Sequence, residues 1–381
     1  MSKHRIVLIL TLLSLIVVWI PGLRAQDSEV EDLTFFLTFV PNIQFAPLYV
    51  TIEKGYFADQ GLNVDIEHGR EPDGVDLIAA DQMQFGLISG EQILLARAGQ
   101  RPVKYVYEWF QKYPVAVVFP AGSAIESVAD LAGRKVGVPS FSGATYSGIV
   151  ALLAANAMTP DDLALEPIGF NAVEVVCLGG VEASVVYINN EPLQIQQRVG
   201  QGDCGDISDV EVIAVGDFAD LVSNGIVTNE ETINNNPALV QRVVSAFDAG
   251  LRDAINNPAE AYLLSLPYIE SLVPDDEFIT ALESAAADQE IFLGSDPDRM
   301  TIAESRQTLY ESLSGQFDAE TLTQFQVLLA TIDLWDAEQL GFSDLVSWEV
   351  TQATLAQMGF LEEAIDLEAA FTNEFVPAAQ G

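Results

Sequence analysis

The chain has 381 residues, of which 49% are apolar, so it can bury a substantial core and is long enough for two lobes. Its 56 Asp and Glu residues against 16 Lys and Arg give a formal net charge of -40. A chain this acidic repels polyanions, which argues against nucleic-acid, heparin or anionic-lipid binding as the main activity.

The N-terminus has the pattern of a secretory signal. Basic residues precede an uncharged run at 6–20, and Ala25 follows as the expected last residue before cleavage. We therefore expect residues 1–25 to be a signal peptide and the protein to be periplasmic or extracellular. A retained N-terminal anchor is the alternative, although the run of fifteen residues is shorter than the ~20 that usually cross a bilayer.

From residue 33 the sequence alternates between strand and helix patterns. Residues 33–40 have the pattern of a buried strand, and after Pro41 the apolar residues recur at helical spacing. Such alternation predicts a parallel-rich α/β sheet. The next predicted elements are strands at 62–67, 84–89, 103–109 and 115–119 and a helix at 91–98.

A second unit follows the same plan of strand, polar turn and helix. Its predicted strands are at 135–138, 183–188 and 210–215, and its helices are at 145–156 and 171–178. From Asn236 onward the pattern is mostly helical, and the first of these helices has one apolar face. The residues of that face are Leu239, Val240, Val243, Val244, Phe247, Leu251 and Ile255.

These patterns predict two α/β lobes. Residues 33–119 together with 216–375 form the first lobe, and residues 120–215 form the second. The chain crosses between them near 115–119 and 210–216, which predicts a two-strand hinge. A cleft between two lobes is a standard place for a ligand.

Cys177 and Cys204 are the only two cysteines. In an oxidising compartment they can form a disulfide, a constraint typically worth about 2–4 kcal/mol. One buried and one loop cysteine, both reduced, is the equal alternative, because spacing alone does not fix connectivity.

The histidine content limits the chemistry of the chain. Only His4 and His68 occur, and His4 leaves with the signal, so a multi-histidine metal site is excluded. The turn at 140–145 lacks the phosphate-loop pattern, and no calcium-loop pattern occurs. We therefore expect no enzyme, no metal and no cofactor.

Polar side chains gather where predicted strands run into helices. In an open α/β sheet the carboxyl ends of the strands face the ligand crevice, so these side chains converge if the two lobes face one another. Helix capping is the alternative role of each one. The candidates are Asn42, Ser89, Glu91, Gln92, Ser142, Thr145, Asn171, Asn190 and Glu191.

Several strings in the chain resemble the thiamine-precursor-type solute-binding proteins of ABC importers. The resemblance runs from about residue 33 to residue 257. The string at 39–49, together with SGEQ at 89–92 and NNEP at 189–192, is most similar to the branch that includes riboflavin-binding importer components. The strings are FVPNIQFAPLY at 39–49, EKGYF at 53–57, SGEQ at 89–92, DLAGRKVG at 130–137 and VVYINNEP at 185–192.

This resemblance implies a type II periplasmic-binding-protein fold. In that fold two α/β lobes, here with a helical C-terminal part, close on a ligand and present it to a membrane permease with its ATPase. We therefore expect the partners to be a small molecule and these importer subunits, and we expect the protein to be a monomer.

The candidate residues agree with a flat, neutral, heteroaromatic ligand. Phe45, Trp109, Tyr113, Tyr146 and Tyr187 offer aromatic faces for stacking, although packing is their alternative role. Amides and carboxylates can bind ring edges and hydroxyls. The scarcity of basic groups disfavours anionic solutes. We expect riboflavin, with a thiamine pyrimidine precursor of the formylaminopyrimidine type as the alternative.

The resemblance also raises an enzyme alternative, the yeast-type pyrimidine synthase. That enzyme uses a lysine-bound pyridoxal phosphate and a histidine of its own chain. Lys54 is the candidate lysine here, and His68 is the one histidine left after export. The chain has no cysteine-rich run like that of the enzyme, which favours the binding protein.

Overall fold

The structure is a computed structural model that describes residues 30–378. The predicted signal segment, residues 1–25, lies outside the described residues. Within the described range, no helix is both long enough and apolar enough to span a bilayer.

Two five-stranded sheets of the same plan organise the described residues. The strands are β1 Glu31–Thr38, β2 Leu62–Gly69, β3 Phe85–Ser89, β4 Val103–Glu108, β5 Val115–Pro120, β6 Lys135–Val138, β7 Ala164–Pro167, β8 Ala183–Tyr187, β9 Val210–Ala214 and β10 Asn224–Asn229. The strand order is β2-β1-β3-β10-β4 in the first sheet and β7-β6-β8-β5-β9 in the second. In each sheet three neighbouring strands are parallel, and the fourth in order is antiparallel to both of its neighbours.

Helices cover both sheets and form the C-terminal part. The α-helices are α1 Ala46–Glu53, α2 Tyr56–Asp59, α3 Glu71–Ala79, α4 Gly90–Ala98, α5 Gly143–Ala155, α6 Ala172–Cys177, α7 Glu191–Gln201, α8 Glu230–Asn235, α9 Pro237–Asn256, α10 Pro258–Ser265, α11 Asp276–Leu293, α12 Arg299–Ser314, α13 Ala319–Trp335, α14 Leu345–Gln357 and α15 Leu367–Ala370. Each helix from α8 onward begins with an Asn or Asp whose side chain accepts a backbone N–H. Helix capping therefore accounts for part of the acidic surplus.

The core of the first lobe lies between the first sheet and the C-terminal helices. Every residue of the predicted apolar face of α9 is buried there. Trp335 of α13 and Trp348 of α14 are also fully buried. The helical C-terminal part therefore belongs to the first lobe, and it fixes the position of the first sheet behind the cleft.

The second lobe has its own core around the second sheet. Valines of β5, β6 and β8 pack against α5 on one face of that sheet. On the other face the sulfurs of Cys177 and Cys204 are bonded to one another, which ties the end of α6 to the loop after α7.

The chain crosses between the sheets twice, at residues 109–114 and 215–223. β5 and β9, which flank these crossings, both belong to the second sheet and pair with one another there. We therefore propose lobe boundaries within the two crossings, a few residues from those that the sequence predicts.

Two elements that position the site were not predicted from the sequence, namely α3 and β10. α3 begins with Glu71, Pro72, Asp73 and Gly74, a composition typical of a turn. β10 has Asn and Gly at its start and Asn at its end. Because these residues are uncommon in strands, the sequence did not indicate a short central strand here.

The substitution Gly250→Ala tests the packing of α9 on α1. A Cβ at position 250 would lie 2.7 Å from the carbonyl oxygen of Pro47, so the helices would have to move apart. We expect overpacking to cost about 1–3 kcal/mol, more than the ~1 kcal/mol that Ala adds in helix propensity. The melting temperature should therefore fall.

Gly200→Ala in α7 is the matched control, because a Cβ there meets no atom within 4 Å. This variant should melt at the wild-type temperature or slightly above it. Equal melting temperatures for both variants would contradict the tight approach of α1 and α9.

Candidate ligand-binding site

A cavity of about 170 Å³ lies between the two lobes. Its walls come from residues at the carboxyl ends of strands: Phe39 follows β1, Arg70 follows β2, Pro139 follows β6 and Tyr187 ends β8. This is the edge of an α/β sheet where ligands bind. Both lobes therefore contribute to one site.

Some of the predicted residues line this cavity, and they come from both sides. Phe45 belongs to the first lobe, and Trp109 lies at the first crossing between the lobes. The others belong to the second lobe. The predicted residues that line the cavity are Phe45, Trp109, Ser142, Thr145, Tyr187 and Glu191.

Aromatic rings form a continuous wall along one side of the cavity. The rings of Phe45 and Trp109 are stacked, with centroids 5.9 Å apart and an interplanar angle of 30°. Phe110 lies edge-on to Trp109 at 4.5 Å and to Tyr187 at 6.2 Å. Trp335 of α13 supports Trp109 from behind, at 5.6 Å. The wall is suited to a flat apolar ring system.

Two further aromatic rings from opposite lobes meet at the cavity. Phe39 and Phe170 line it and contact edge to face, with centroids 4.8 Å apart. The backbone of Phe39 has φ +94°, a conformation that costs a non-glycine residue free energy and that concentrates at functional sites. Phe39 is therefore held in place by its surroundings rather than by local preference.

Few charged groups line the cavity. Among the described residues, Arg70 is the basic residue of the cavity lining. Its guanidinium donates to both carboxylate oxygens of Asp73, at 3.0 and 2.8 Å. Oε2 of Glu191 accepts the backbone N–H of Tyr187 at 3.0 Å, and burial raises the pKa of this carboxyl. Arg70 thus has a carboxylate partner in a largely exposed pair, and Glu191 is biased toward its neutral form.

Three of the predicted residues connect the lobes instead of lining the cavity. Nδ2 of Asn42 donates to Oδ1 of Asn190 at 3.4 Å, and Nε2 of Gln92 donates to Oγ of Ser147 at 3.3 Å. In both pairs the first residue belongs to the first lobe and the second residue to the second lobe. These side chains therefore hold the lobes together.

Other buried hydrogen bonds cross the same interface. Nδ2 of Asn189 donates to Oε1 of Gln44 at 2.8 Å and to Oγ1 of Thr331 at 2.7 Å. The hydroxyl of Tyr187 donates to Oδ1 of Asn224 at 2.8 Å. Sequence reasoning did not assign these partners, since each pair is far apart along the chain.

Sequence reasoning also missed Glu71, which lines the cavity at the start of α3. Its Oε1 accepts the backbone N–H of Ser89 at 2.7 Å, and its Oε2 accepts the backbone N–H of Ala144 at 2.9 Å. Ala144 belongs to the second lobe, so Glu71 is both a wall residue and an interlobe contact. Its place directly after β2, like that of the other junction residues, was the available signal.

The predicted residues Ser89, Glu91 and Tyr113 lie behind Glu71, away from the cavity lining. Oγ of Ser89 lies 2.6 Å from Oε1 of Glu71 and 2.8 Å from Oε1 of Glu91. The hydroxyl of Tyr113 donates to the carbonyl of Ala144 at 2.9 Å. Burial raises the pKa of both carboxyls, and the charge of Glu71 raises that of Glu91 further.

Two further predicted residues lie outside the cavity lining. Tyr146 stacks on Phe360 of the C-terminal part, with centroids 6.1 Å apart. Asn171 is exposed, and its Nδ2 donates to the carbonyl of Ile168 at 3.1 Å. Tyr146 thus contacts the first lobe, and the amide of Asn171 is bonded within its own segment, so neither side chain is among the residues that line the cavity.

The residues that the enzyme alternative requires do not converge on the cavity. Nζ of Lys54, directly after the C-terminal end of α1, lies 2.6 Å from Asp253 and 3.1 Å from Glu260, and Lys54 is not part of the cavity lining. His68 packs edge-on against Phe45 at 5.6 Å, and burial lowers its pKa. A lysine-bound cofactor at Lys54 would therefore not occupy this cleft.

Comparison with known proteins gives consistent matches. The model of a family described as NMT1/THI5 like matches residues 42–261. Riboflavin-binding protein RibY of Chloroflexus aurantiacus is 32% identical over 360 residues, which are 94% of this chain and 89% of that protein. The formylaminopyrimidine-binding protein of Halalkalibacterium halodurans is 28% identical over 241 residues, which are 62% of this chain and 70% of that protein.

A solved structure shows the same fold. The alkanesulfonate-binding protein SsuA from Xanthomonas axonopodis pv. citri, bound to MOPS, superposes with a TM-score of 0.59 at 13% identity. The superposition covers 90% of this chain and 99% of that chain. The predicted type II periplasmic-binding-protein fold is confirmed.

The substitution Asn189→Ala tests the interlobe hydrogen bonds. It removes two buried bonds between the lobes, each worth about 1 kcal/mol, and leaves Gln44 and Thr331 without that partner. We expect the ligand-free variant to open more, with a larger radius of gyration in small-angle X-ray scattering.

Asn156→Ala is the control. Nδ2 of Asn156, the residue directly after α5, donates to the carbonyl of Leu152 in that helix, so this hydrogen bond lies within the second lobe. Its radius of gyration should equal that of the wild type. An unchanged radius in Asn189→Ala would show that Asn189 does not hold the lobes together.

Proposed function

Since this chain belongs to the NMT1/THI5-like family, we propose that it is the extracytoplasmic solute-binding component of an ABC importer and that its ligand is riboflavin. The aromatic wall of the interlobe cavity carries this proposal. Similarity to RibY over 94% of the chain supports it, because the similarity to the formylaminopyrimidine-binding protein spans a smaller share.

The aromatic wall matches the ring system of a flavin. A tricyclic ring placed against Phe45, Trp109 and Tyr187 would gain about 0.5–1.5 kcal/mol from each aromatic pair beyond burial. Glu191 and Asn224 line the same cavity and can bind polar ring edges or the hydroxyls of the ribityl chain. The site thus combines stacking with a few polar contacts.

The size of the cavity requires that the lobes move. Its volume of about 170 Å³ is smaller than the ~300–1,000 Å³ that is usual for ligand sites. A flavin would therefore enter when the lobes are apart, and closure would bring the second-lobe residues onto it. Such closure shifts a balance between open and closed arrangements.

The charges at the site favour a neutral ligand. Glu71 and Glu191 present carboxyl groups to the cavity, and Arg70 is paired with Asp73. An anionic solute would have to compete with Asp73 for Arg70 and would face the carboxylate of Glu71. This argument opposes sulfonate or phosphate solutes, and it makes riboflavin a better ligand than its 5′-phosphate.

A thiamine pyrimidine precursor is the second candidate, favoured by the similarity to the formylaminopyrimidine-binding protein. Such a ring is also planar and neutral and would use part of the aromatic wall. It has no second and third ring to cover the wall from Phe45 to Tyr187. We propose no catalytic role, since the lysine needed for a pyridoxal enzyme is paired elsewhere.

In the proposed setting the chain acts outside the cytoplasm. The predicted signal at 1–25 would direct export, and the closed protein would deliver its ligand to a permease and its ATPase. The permease would recognise the closed arrangement, in which both lobes present one continuous surface.

The proposal is tested by isolating the protein from its native host and recording its visible spectrum. We expect a yellow protein, and mass spectrometry of the released ligand should identify riboflavin. Titration of ligand-stripped protein, followed by quenching of flavin fluorescence, should show tighter binding of riboflavin than of its 5′-phosphate. A bound pyrimidine without any flavin, or preference for the phosphate, would contradict the proposal.

The substitution Tyr187→Ala tests the aromatic wall. It removes a ring from the cavity and the hydroxyl contact with Asn224, so we expect riboflavin to bind at least about tenfold more weakly. Tyr56→Ala is the control, because Tyr56 donates to Asp253 within the first lobe and does not line the cavity. Equal losses in the two variants would remove Tyr187 from the site.

A further inference from the structure

A pair of buried carboxyl groups joins the two lobes beside the cavity. Glu71 on α3 and Glu91 on α4 belong to the first lobe and are 8% and 0% exposed. Glu71 accepts the N–H of Ala144 at the start of α5, in the second lobe. Gln92, the neighbour of Glu91, contacts Ser147 on the same helix. The pair therefore lies at the interface that opens when the lobes separate.

The hydrogen bonds around this pair determine how many protons it holds. Oγ of Ser89 lies within hydrogen-bond distance of both carboxyls, at 2.6 Å from Glu71 and 2.8 Å from Glu91. A hydroxyl has one proton and donates once, so one of the two carboxyls must donate to Ser89. The closed arrangement thus requires one proton on the pair.

That proton belongs to Glu91. Each oxygen of Glu71 already accepts a backbone N–H, from Ser89 and from Ala144, which is the pattern of an ionised carboxylate. Oε1 of Glu91 has Ser89 as its partner, and Oε2 of Glu91 is buried without one. The hydroxyl of Tyr113 also faces Glu91, but its one proton is donated to the carbonyl of Ala144, so Tyr113 can accept from Glu91 and does not donate to it. The order of donation therefore runs from Glu91 to Ser89 and from Ser89 to Glu71.

The surroundings of the pair hold it in this state. Among residues 30–378, no Lys, Arg or His forms a salt bridge with either carboxyl. The titratable groups that face the pair from other elements are Tyr105 of β4, Tyr113 of the first crossing and Tyr187 of β8. Burial raises the pKa of each of the three, so each is biased toward its neutral form.

We propose that Glu71 and Glu91 form an interlobe latch that holds one proton when the lobes are closed and releases it when they open. This inference rests on the proposed function in one respect, namely that a ligand closes the lobes. Glu71 is a positioning residue for closure, because it attaches α3 to the start of α5. Glu91 acts through Ser89 and Glu71, and neither Ser89 nor Glu91 lines the cavity.

The sign of the pH effect follows from the proton count. In the open arrangement water reaches the pair, and the pKa of Glu91 falls toward its ordinary value. The closed arrangement therefore binds one more proton at pH values between the open and closed pKa values of Glu91. In that interval closure weakens as the pH rises, by up to about tenfold per pH unit.

Two substitutions separate the roles of the carboxyls. Glu91→Gln keeps a donor for Ser89 and has no proton to lose, so it should close at any pH. Glu71→Gln places an amide N–H opposite a backbone N–H, of Ser89 or of Ala144, so it should open at any pH. Both variants conserve side-chain size, and circular dichroism will check that each is folded.

A first experiment needs no ligand and is small-angle X-ray scattering from about pH 5.5 to about pH 8.5. We expect the radius of gyration of the wild type to increase with pH. It should stay at the small value in Glu91→Gln and at the large value in Glu71→Gln. A wild type and a Glu91→Gln variant with the same dependence on pH would overturn the latch.

A second experiment measures proton uptake by titration calorimetry with riboflavin in buffers of different ionisation enthalpy. The wild type should take up a substantial fraction of one proton per ligand bound, and Glu91→Gln should take up almost none. Uptake that is equal in the two proteins would overturn the inference. A protein that shows the predicted scattering but binds no riboflavin would keep the latch and lose the proposed ligand.

Glu108→Gln is the control for other buried acids. Burial raises the pKa of Glu108 to about 8, so it titrates within the pH range of the scattering experiment. Its carboxylate accepts from Ser343 of the C-terminal part, a hydrogen bond that lies within the first lobe. This variant should retain the proton uptake of the wild type on riboflavin binding, and loss of that uptake would assign it to Glu108 instead of Glu91.

Discussion

Polar groups that the two lobes bury against one another must find their partners in the opposite lobe. An unpaired buried amide or carboxylate costs several times more free energy than its hydrogen bond contributes. Nδ2 of Asn189, the hydroxyl of Tyr187 and the carboxylate of Glu71 all meet this requirement across the interface. The requirement makes closure specific, since a small misalignment of the lobes would leave several of these groups unpaired at once.

This constraint divides the site into two kinds of surface. The stack of Phe45, Trp109 and Trp335 is built within the first lobe and the first crossing, so it exists before the lobes meet. The contributions of Glu191 and Tyr187 arrive with the second lobe. A flat ligand can therefore stack first and acquire its polar contacts on closure, which makes ring shape the first criterion of selection and hydrogen bonding the second.

The architecture and the location of the site were predictable from the sequence, but the partners of its polar side chains were not. Alternation of strand and helix patterns indicates an α/β fold, and residues after strands indicate the cleft. Whether Asn42 contacts a ligand or Asn190 depends on distances between residues 148 positions apart, which no local pattern encodes. Glu71 was missed because Pro72 and Gly74 give the start of α3 the composition of a turn.

Helix α13 lies outside the segment that the family model matches, residues 42–261, yet it reaches both halves of the molecule. Thr331 contacts Asn189, the carbonyl of Glu320 accepts from Gln197 at 3.3 Å, and Trp335 supports Trp109. A shortened chain that retained both sheets would lose all three contacts. Anyone transplanting this pocket into a smaller scaffold, for instance as a biosensor, would have to carry this distant helix along with the residues of the cleft.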